Sequence, residues 1–156
     1  MGASTTIPKF GLLINSISYV LALSLVATPV LAFVHGTITG IKRKAAKIPY
    51  PNAYATPQEA KANPAAHTFN CAQRAHAQFM DNAPQTMLSM LVAGLEYPNA
   101  TVGLSLGWLV FRVLYMYGYV YQDKPGGSGR YLGVAYYFAQ AGLWGLVGAM
   151  SWKMVS

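Results

Sequence analysis

"FGLLINSISYVLALSLVATPVLAFVHGTITGI" fills positions 10–41 and contains no Asp, Glu, Lys or Arg. The bounding charges are Lys9 before it and Lys42 after it. A helix needs roughly 20 mostly apolar residues to cross the hydrocarbon core of a bilayer, so this run is long enough. It also exceeds the apolar region of about 7–15 residues in a cleavable secretory signal, which points to a retained membrane span. Further charge-free stretches separate Glu96 from Arg112 and Arg130 from Lys153. Of the 156 residues 54% are hydrophobic and only 10% charged, outside ordinary soluble composition. The expectation is a single all-α integral membrane domain over residues 1–156.

Working outward from the first run, four spans emerge, at about 12–41, 66–97, 101–122 and 131–152. Pro29 falls inside the first and predicts a kink. The basic segment "KRKAAK" then leads into "IPYPNAYATPQEAKANP". Its four prolines predict an irregular loop on the cytoplasmic side. "YPNA" at 97–100 reads as a tight turn and "DKPGGSG" at 123–129 as a flexible glycine-rich loop. Such short connections make successive spans antiparallel neighbours, hence a left-handed four-transmembrane-helix bundle. Tyr97, Trp152 and Lys153 suit the membrane–water interface.

The net charge of +7 raises the question of a nucleic-acid partner, but its distribution explains it without one. Lys42, Arg43, Lys44, Lys47, Lys61 and Arg74 follow the first span, and Lys124 and Arg130 follow the third. That asymmetry is what the positive-inside rule describes, and it sets topology. Cys71 is the single cysteine, which excludes an intrachain disulfide and a cysteine-based metal site. Neither His35 nor His67 has metal-ligand company, so no metal is expected. Met1 to Thr6 fits the loose myristoylation pattern, although the charge bias places this terminus opposite the cytosol. Asn99 opens a glycosylation sequon, expected to stay unmodified because it lies so close to two spans.

Two polar constellations interrupt this apolar chain. In "FNCAQRAHAQFMDNAPQTM", positions 69–87, Arg74, Gln78, Asp81 and Gln85 recur at helical spacing and share one face. That face could simply be the cytoplasmic mouth of a membrane helix, with polar side chains reaching water. Asp81 is too short to reach far, however, and calls for an arginine or a ligand ammonium. In "WLVFRVLYMYGYVYQ", Arg112 has no acidic residue within ten positions on either side. A charge at membrane depth is a functional-site hypothesis by default. Tyr115 and Tyr119 lie on the same face as Arg112; alternatively the tyrosines form an interfacial belt and the arginine caps carbonyls of a neighbouring span. Arg43, Arg74, Arg112 and Arg130, with one aspartate among them, match a ligand that has two carboxylates and one ammonium. Glutathione is such a ligand.

"FNCAQRAH", Pro84 ten residues after Arg74, "RVLYMYGY" and "GRYLG" together resemble the MAPEG family, the membrane-associated proteins of eicosanoid and glutathione metabolism. The nearest resemblance is to the type 3 microsomal glutathione transferases. It extends from the first span to the fourth, with Phe111 where the family usually has glycine. It implies homotrimers of four-helix subunits that bind glutathione between neighbours, near the cytoplasmic side of the endoplasmic reticulum membrane. Carried over by position, it implies glutathione contacts at Arg74, Gln78, Asp81 and Asn82, and at Arg112, Tyr115 and Tyr119. Arg43, together with His76 of a neighbouring subunit, would also touch the peptide. Arg130 aligns, across a longer glycine-rich loop, with the arginine that activates the thiol. Relatives usually carry Asn, Glu and Tyr where this chain has Gln78, Asp81 and Asn82.

The expected activity is therefore that of a glutathione transferase with possible peroxidase activity, using glutathione as co-substrate and no metal. Its second substrate would be a lipophilic electrophile or lipid hydroperoxide drawn from membrane lipid. Conjugation of an oxylipin in the manner of a leukotriene C synthase, or a non-catalytic lipid-binding scaffold, are the alternatives within the family. A small transporter subunit would need paired broken helices, which the spans lack.

Overall fold

The computed structural model describes residues 15–122 and 124–156. The myristoylation pattern, Lys9 and the start of the first apolar run lie outside the described residues. Helix α1 spans Asn15–Ala46. Pro29 does not break it, because the turn before it widens into a π-helical segment at Leu23–Ala27. There the Thr28 N–H and its hydroxyl, at 2.9 Å, both donate to the carbonyl of Leu23. The wider turn accommodates a residue that has no N–H of its own.

α1 ends where Lys47 enters the left-handed region at φ 56° and donates to the carbonyls of Arg43 and Lys44. The proline-rich connection that follows is not wholly irregular, contrary to expectation. It contains a short helix, α2, at Pro57–Ala62. Pro57 occupies the first turn, where a missing N–H is harmless. Thr56 and Glu59 form a reciprocal capping box around it. The hydrogen bonds from the Thr56 backbone and side chain hold the Glu59 carboxyl below its usual range. The loop is tied to the bundle by Asn70, which exchanges hydrogen bonds of 2.8 and 2.9 Å with the backbone of Ala55. Ala46, Ile48, Ala55, Ala66 and Phe69 form a small core beneath it.

α3 covers Pro64–Glu96, with Pro84 inside it. At about 50 Å it is longer than a bilayer core, consistent with a polar first half outside the hydrocarbon. Tyr97 alone separates it from α4, Pro98–Tyr121, so the expected turn is a single residue. The sequon at Asn99 lies in the first turn of α4 with Thr101 fully buried. A 3-10 segment at Pro125–Gly133 follows, then α5 at Tyr136–Val155. Lys153 on α5 forms an ion pair of 2.5 Å with Glu96 and lies 5.0 Å from the Tyr97 ring, clamping the ends of α3 and α5.

No strand occurs among the described residues. α1 and α4 are both long and apolar enough to cross a membrane. Only 17% of the apolar window of α1 is buried inside the subunit, and Phe33 and Phe138 are 75% and 80% exposed. Apolar surface on this scale needs lipid or another subunit to cover it. The central core is narrow: Ala72, Ala75 and Ala83 let α3 approach its neighbours closely around Phe79, Trp108, Tyr115, Tyr136 and Leu143.

The 3-10 segment lies directly on the α4 backbone. A Cβ on Gly118 would stand 2.1 Å from the Gly129 carbonyl oxygen. One on Gly133 would stand 2.2 Å from the Phe111 carbonyl oxygen and the Tyr115 nitrogen. Backbone cannot yield as a side-chain tip can. Gly118→Ala and Gly133→Ala should each cost about 1–3 kcal/mol of stability, read as a lower unfolding midpoint in detergent. Gly40→Ala on α1, where nothing lies within 4 Å, should leave the midpoint unchanged or raise it.

Candidate functional site

Helical spacing on α4 places Thr101, Ser105, Trp108, Arg112 and Tyr115 on one buried stripe. Arg112 is completely buried, and its Nη1 donates to Oε1 of Gln78 on α3. Four rings surround the guanidinium carbon, with centroids at 4.5 Å for Tyr136, 5.0 Å for Phe79, 5.2 Å for Tyr115 and 5.7 Å for Trp108. Each ring face attracts the cation, by about 0.5–2 kcal/mol. Nε and Nη2 of Arg112 have no hydrogen-bond partner among the described residues. No carboxylate pairs with it among the described residues.

Gln78 is the link between buried charge and open surface. An arginine can only donate, so the Gln78 oxygen must face it and the amide nitrogen must face away. That nitrogen donates to the Tyr136 hydroxyl and lies 3.4 Å from the Tyr137 hydroxyl. Tyr136 is fully buried. The sequence-based site did not include Tyr136 or Tyr137. Their only signal was a doubled tyrosine shortly after "GRYLG", in a position where an interfacial belt is equally natural.

The expected grouping of Arg112, Tyr115 and Tyr119 is present. Tyr115 packs edge-to-face against both Tyr119 and Tyr136, with centroids 5.7 and 5.8 Å apart. Arg130, on the 3-10 segment, joins the same chain of rings, 5.5 Å from the Tyr119 centroid. Its Nη1 donates to the carbonyls of Gly126 and Gly127 at 2.9 and 3.0 Å, and its Nη2 to the Tyr131 hydroxyl at 3.2 Å. Those bonds leave N–H donors on Nη2 and Nε, since a guanidinium carries five.

Other expected members stand apart. Arg74 and Asp81 are exposed on α3 and make no ion pair with each other; the ion pair among the described residues is Lys153–Glu96. Asn82 turns onto its own helix, donating to the Gln78 carbonyl at 2.7 Å, and accepts from Gln85 at 3.3 Å. Arg43 is held by the loop after α1. Its Nη1 donates to the Asn52 carbonyl at 2.6 Å, and its guanidinium lies 4.5 and 4.6 Å from the Tyr50 and Phe69 centroids. His76 faces α1, where its ring would lie 3.6 Å from a Cβ on Gly36, and its buried Nδ1 is unpartnered.

One face of α3 thus presents a cation and a carboxylate with no ion-pair partner among the described residues, and between them an amide held from behind. A second cation stands on the adjoining 3-10 segment beside a tyrosine wall. This arrangement can receive a small ligand carrying both signs of charge. The MAPEG family model matches residues 21–149, from within α1 to most of α5. The chain therefore belongs to the MAPEG family, membrane proteins that act in glutathione-dependent and eicosanoid metabolism.

Proposed function

We propose that the protein is a membrane glutathione transferase that joins the peptide's thiolate to lipophilic electrophiles and reduces lipid hydroperoxides. The observation that carries this is the spacing of two charges on α3 that have no ion-pair partner among the described residues. Arg74 and Asp81 are seven residues apart, about 10 Å along the helix axis. Three residues of extended peptide span about 10 Å as well. Arg74 would take a carboxylate at one end and Asp81 the ammonium at the other, with Gln78 between them contacting the peptide backbone. Arg112 holds Gln78 from behind, Tyr115 and Tyr119 shape the cavity, and Asn82 lines its edge. Arg43 and His76 would serve the peptide of a neighbouring subunit in a homotrimer, with all four long helices crossing the endoplasmic reticulum membrane and the site facing the cytosol.

Arg130 is the catalytic group in this proposal. A free thiol has a pKa near 8.5, so about a few per cent is ionised at neutral pH. A guanidinium N–H beside the sulfur favours the thiolate, each unit of lowering corresponding to about 1.4 kcal/mol. The proton passes to solvent. The thiolate then forms a carbon–sulfur bond with the electrophile as the leaving group departs with its electron pair. With a hydroperoxide, sulfur attacks the terminal oxygen and the O–O bond breaks, releasing the alcohol. A second glutathione then yields the disulfide and water.

Native mass measurement in mild detergent should give three copies per particle. A monomer that retains full activity would remove the shared site. Arg112→Leu should stay folded, because replacing a buried charge with an apolar side chain removes a desolvation cost. It should weaken glutathione binding by about tenfold or more, 1.4 kcal/mol per decade, since Gln78 is then free to turn. Unchanged affinity by calorimetry would make Arg112 purely structural. Arg130→Ala should still bind glutathione but lose thiolate absorbance at neutral pH, with turnover recovering partly as pH rises toward the free-thiol value. An intact thiolate signal with equal losses at every pH would rule out the activating role.

A further inference from the structure

The polar stripe of α3 does not begin at Arg74. Asn70, one turn earlier, falls on the same face, so that Asn70, Arg74, Gln78 and Asp81 stand at i, i+4, i+8 and i+11. The Asn70 amide is turned onto the connection between α1 and α2. Its Oδ1 accepts from the Ala55 N–H at 2.8 Å, and its Nδ2 donates to the Ala55 carbonyl at 2.9 Å. This two-point contact lays the backbone of residue 55 directly on the stripe. The face thus ends in main chain at Asn70, about 6 Å along the axis from Arg74.

The same loop is fastened on either side of that contact. Arg43 donates to the Asn52 carbonyl at 2.6 Å, with the Tyr50 and Phe69 rings beside its guanidinium. The Thr56 N–H donates to the Glu59 carboxylate at 2.7 Å within the capping box of α2. Ala55 is buried with Ala46, Ile48, Ala66 and Phe69 in the small core. A loop held at 52, 55 and 56 has to break several of these contacts before it can draw back.

Arg74 comes up against this segment. Side chains of a helix lean toward its N-terminus, so a long side chain at position 74 covers the turn that carries Asn70. Tyr119 on α4 lies within electrostatic reach of Arg74 and also of Tyr54, the residue just before the pinned Ala55. The loop, the first cation of the α3 face and the tyrosine wall therefore meet at one end of the site.

We propose that residues 52–56 form the end wall of the α3 ligand face and set the length of peptide it accepts, with Asn70 as the residue that positions the wall. The inference rests on the reading of that face as a glutathione site. With Asp81 taking the ammonium, Arg74 takes the glycine carboxylate, which then lies beside the Ala55 backbone. A peptide one residue longer at that end needs about 3.3–3.6 Å more room, and the wall occupies it. Such a peptide must either give up Arg74 or displace the loop.

Calorimetry on the full chain in detergent compares glutathione with glutathione extended by one C-terminal glycine. In the unaltered protein the longer peptide should bind about tenfold more weakly, the loss of a charge-assisted contact. Asn70→Ala should narrow the difference to about threefold or less, chiefly by improving the longer peptide, because specificity is a difference of two affinities. Thr56→Ala, which loosens the wall from its other side at an exposed position, should move the ratio in the same direction and decides the matter if Asn70→Ala does not fold. A merely structural role for Asn70 would weaken both peptides alike and leave the ratio where it was. Equal affinities in the unaltered protein would overturn the wall while leaving the glutathione reading standing. An unchanged ratio in the variants would overturn it too, by assigning the discrimination to Arg74 alone. No binding of glutathione to the unaltered protein would remove the reading of the α3 face and the wall with it.

Discussion

A fully buried guanidinium on an apolar helix is the constraint to which the rest of this bundle has to fit. On insertion scales an arginine at the centre of a span costs roughly 2.5–3.5 kcal/mol. Arg112 meets that cost by two means. Four aromatic rings from α3, α4 and α5 close around its carbon, and Gln78 accepts one of its N–H groups. The requirement therefore selects which residues of three helices face one another. It also orients the Gln78 amide, because only the oxygen can answer an arginine.

The second constraint is the closeness of the 3-10 segment to α4. Gly118, Gly129 and Gly133 permit backbone to lie on backbone at distances that no Cβ would allow. Arg130 belongs to that segment, and its guanidinium is folded onto the carbonyls of Gly126 and Gly127 beside Tyr119. Its position thus depends on the close backbone approach that these glycines allow. The 3-10 segment carries the proposed catalytic cation close against α4.

The same bundle leaves Arg74 and Asp81 at its surface. Both point away from the subunit, and the lipid-sized apolar faces of α1 and α5 are uncovered. A polar face cannot rest against hydrocarbon without loss, so it needs water, a ligand or another subunit. That is the physical link between the α3 face and the proposed shared site: the part of the molecule proposed to bind is a part that a lone subunit leaves uncovered.

The long helices were legible in the sequence as apolar or periodic runs, but their ends were less so. The charge-free run marked α1, whereas Pro64 and Pro98 start helices expected from about 66 and 101, and α5 begins at Tyr136 rather than near 131, behind the 3-10 segment. The sharing of one face by Arg74, Gln78 and Asp81, and of another by Arg112, Tyr115 and Tyr119, follows from the helical period alone. The partner of Arg112 was not legible. The sequence offered it no partner within the chain; packing supplies an amide and four rings, since the rotation of α3 against α4 is settled by side-chain volume across the whole interface. Tyr136 entered the site for the same reason. Arg43, grouped with the other arginines by its place after the first span, is instead held by Asn52, Tyr50 and Phe69. Period and charge act along the chain and can be read from it; partnership is decided between helices, where only the folded bundle brings the groups within reach.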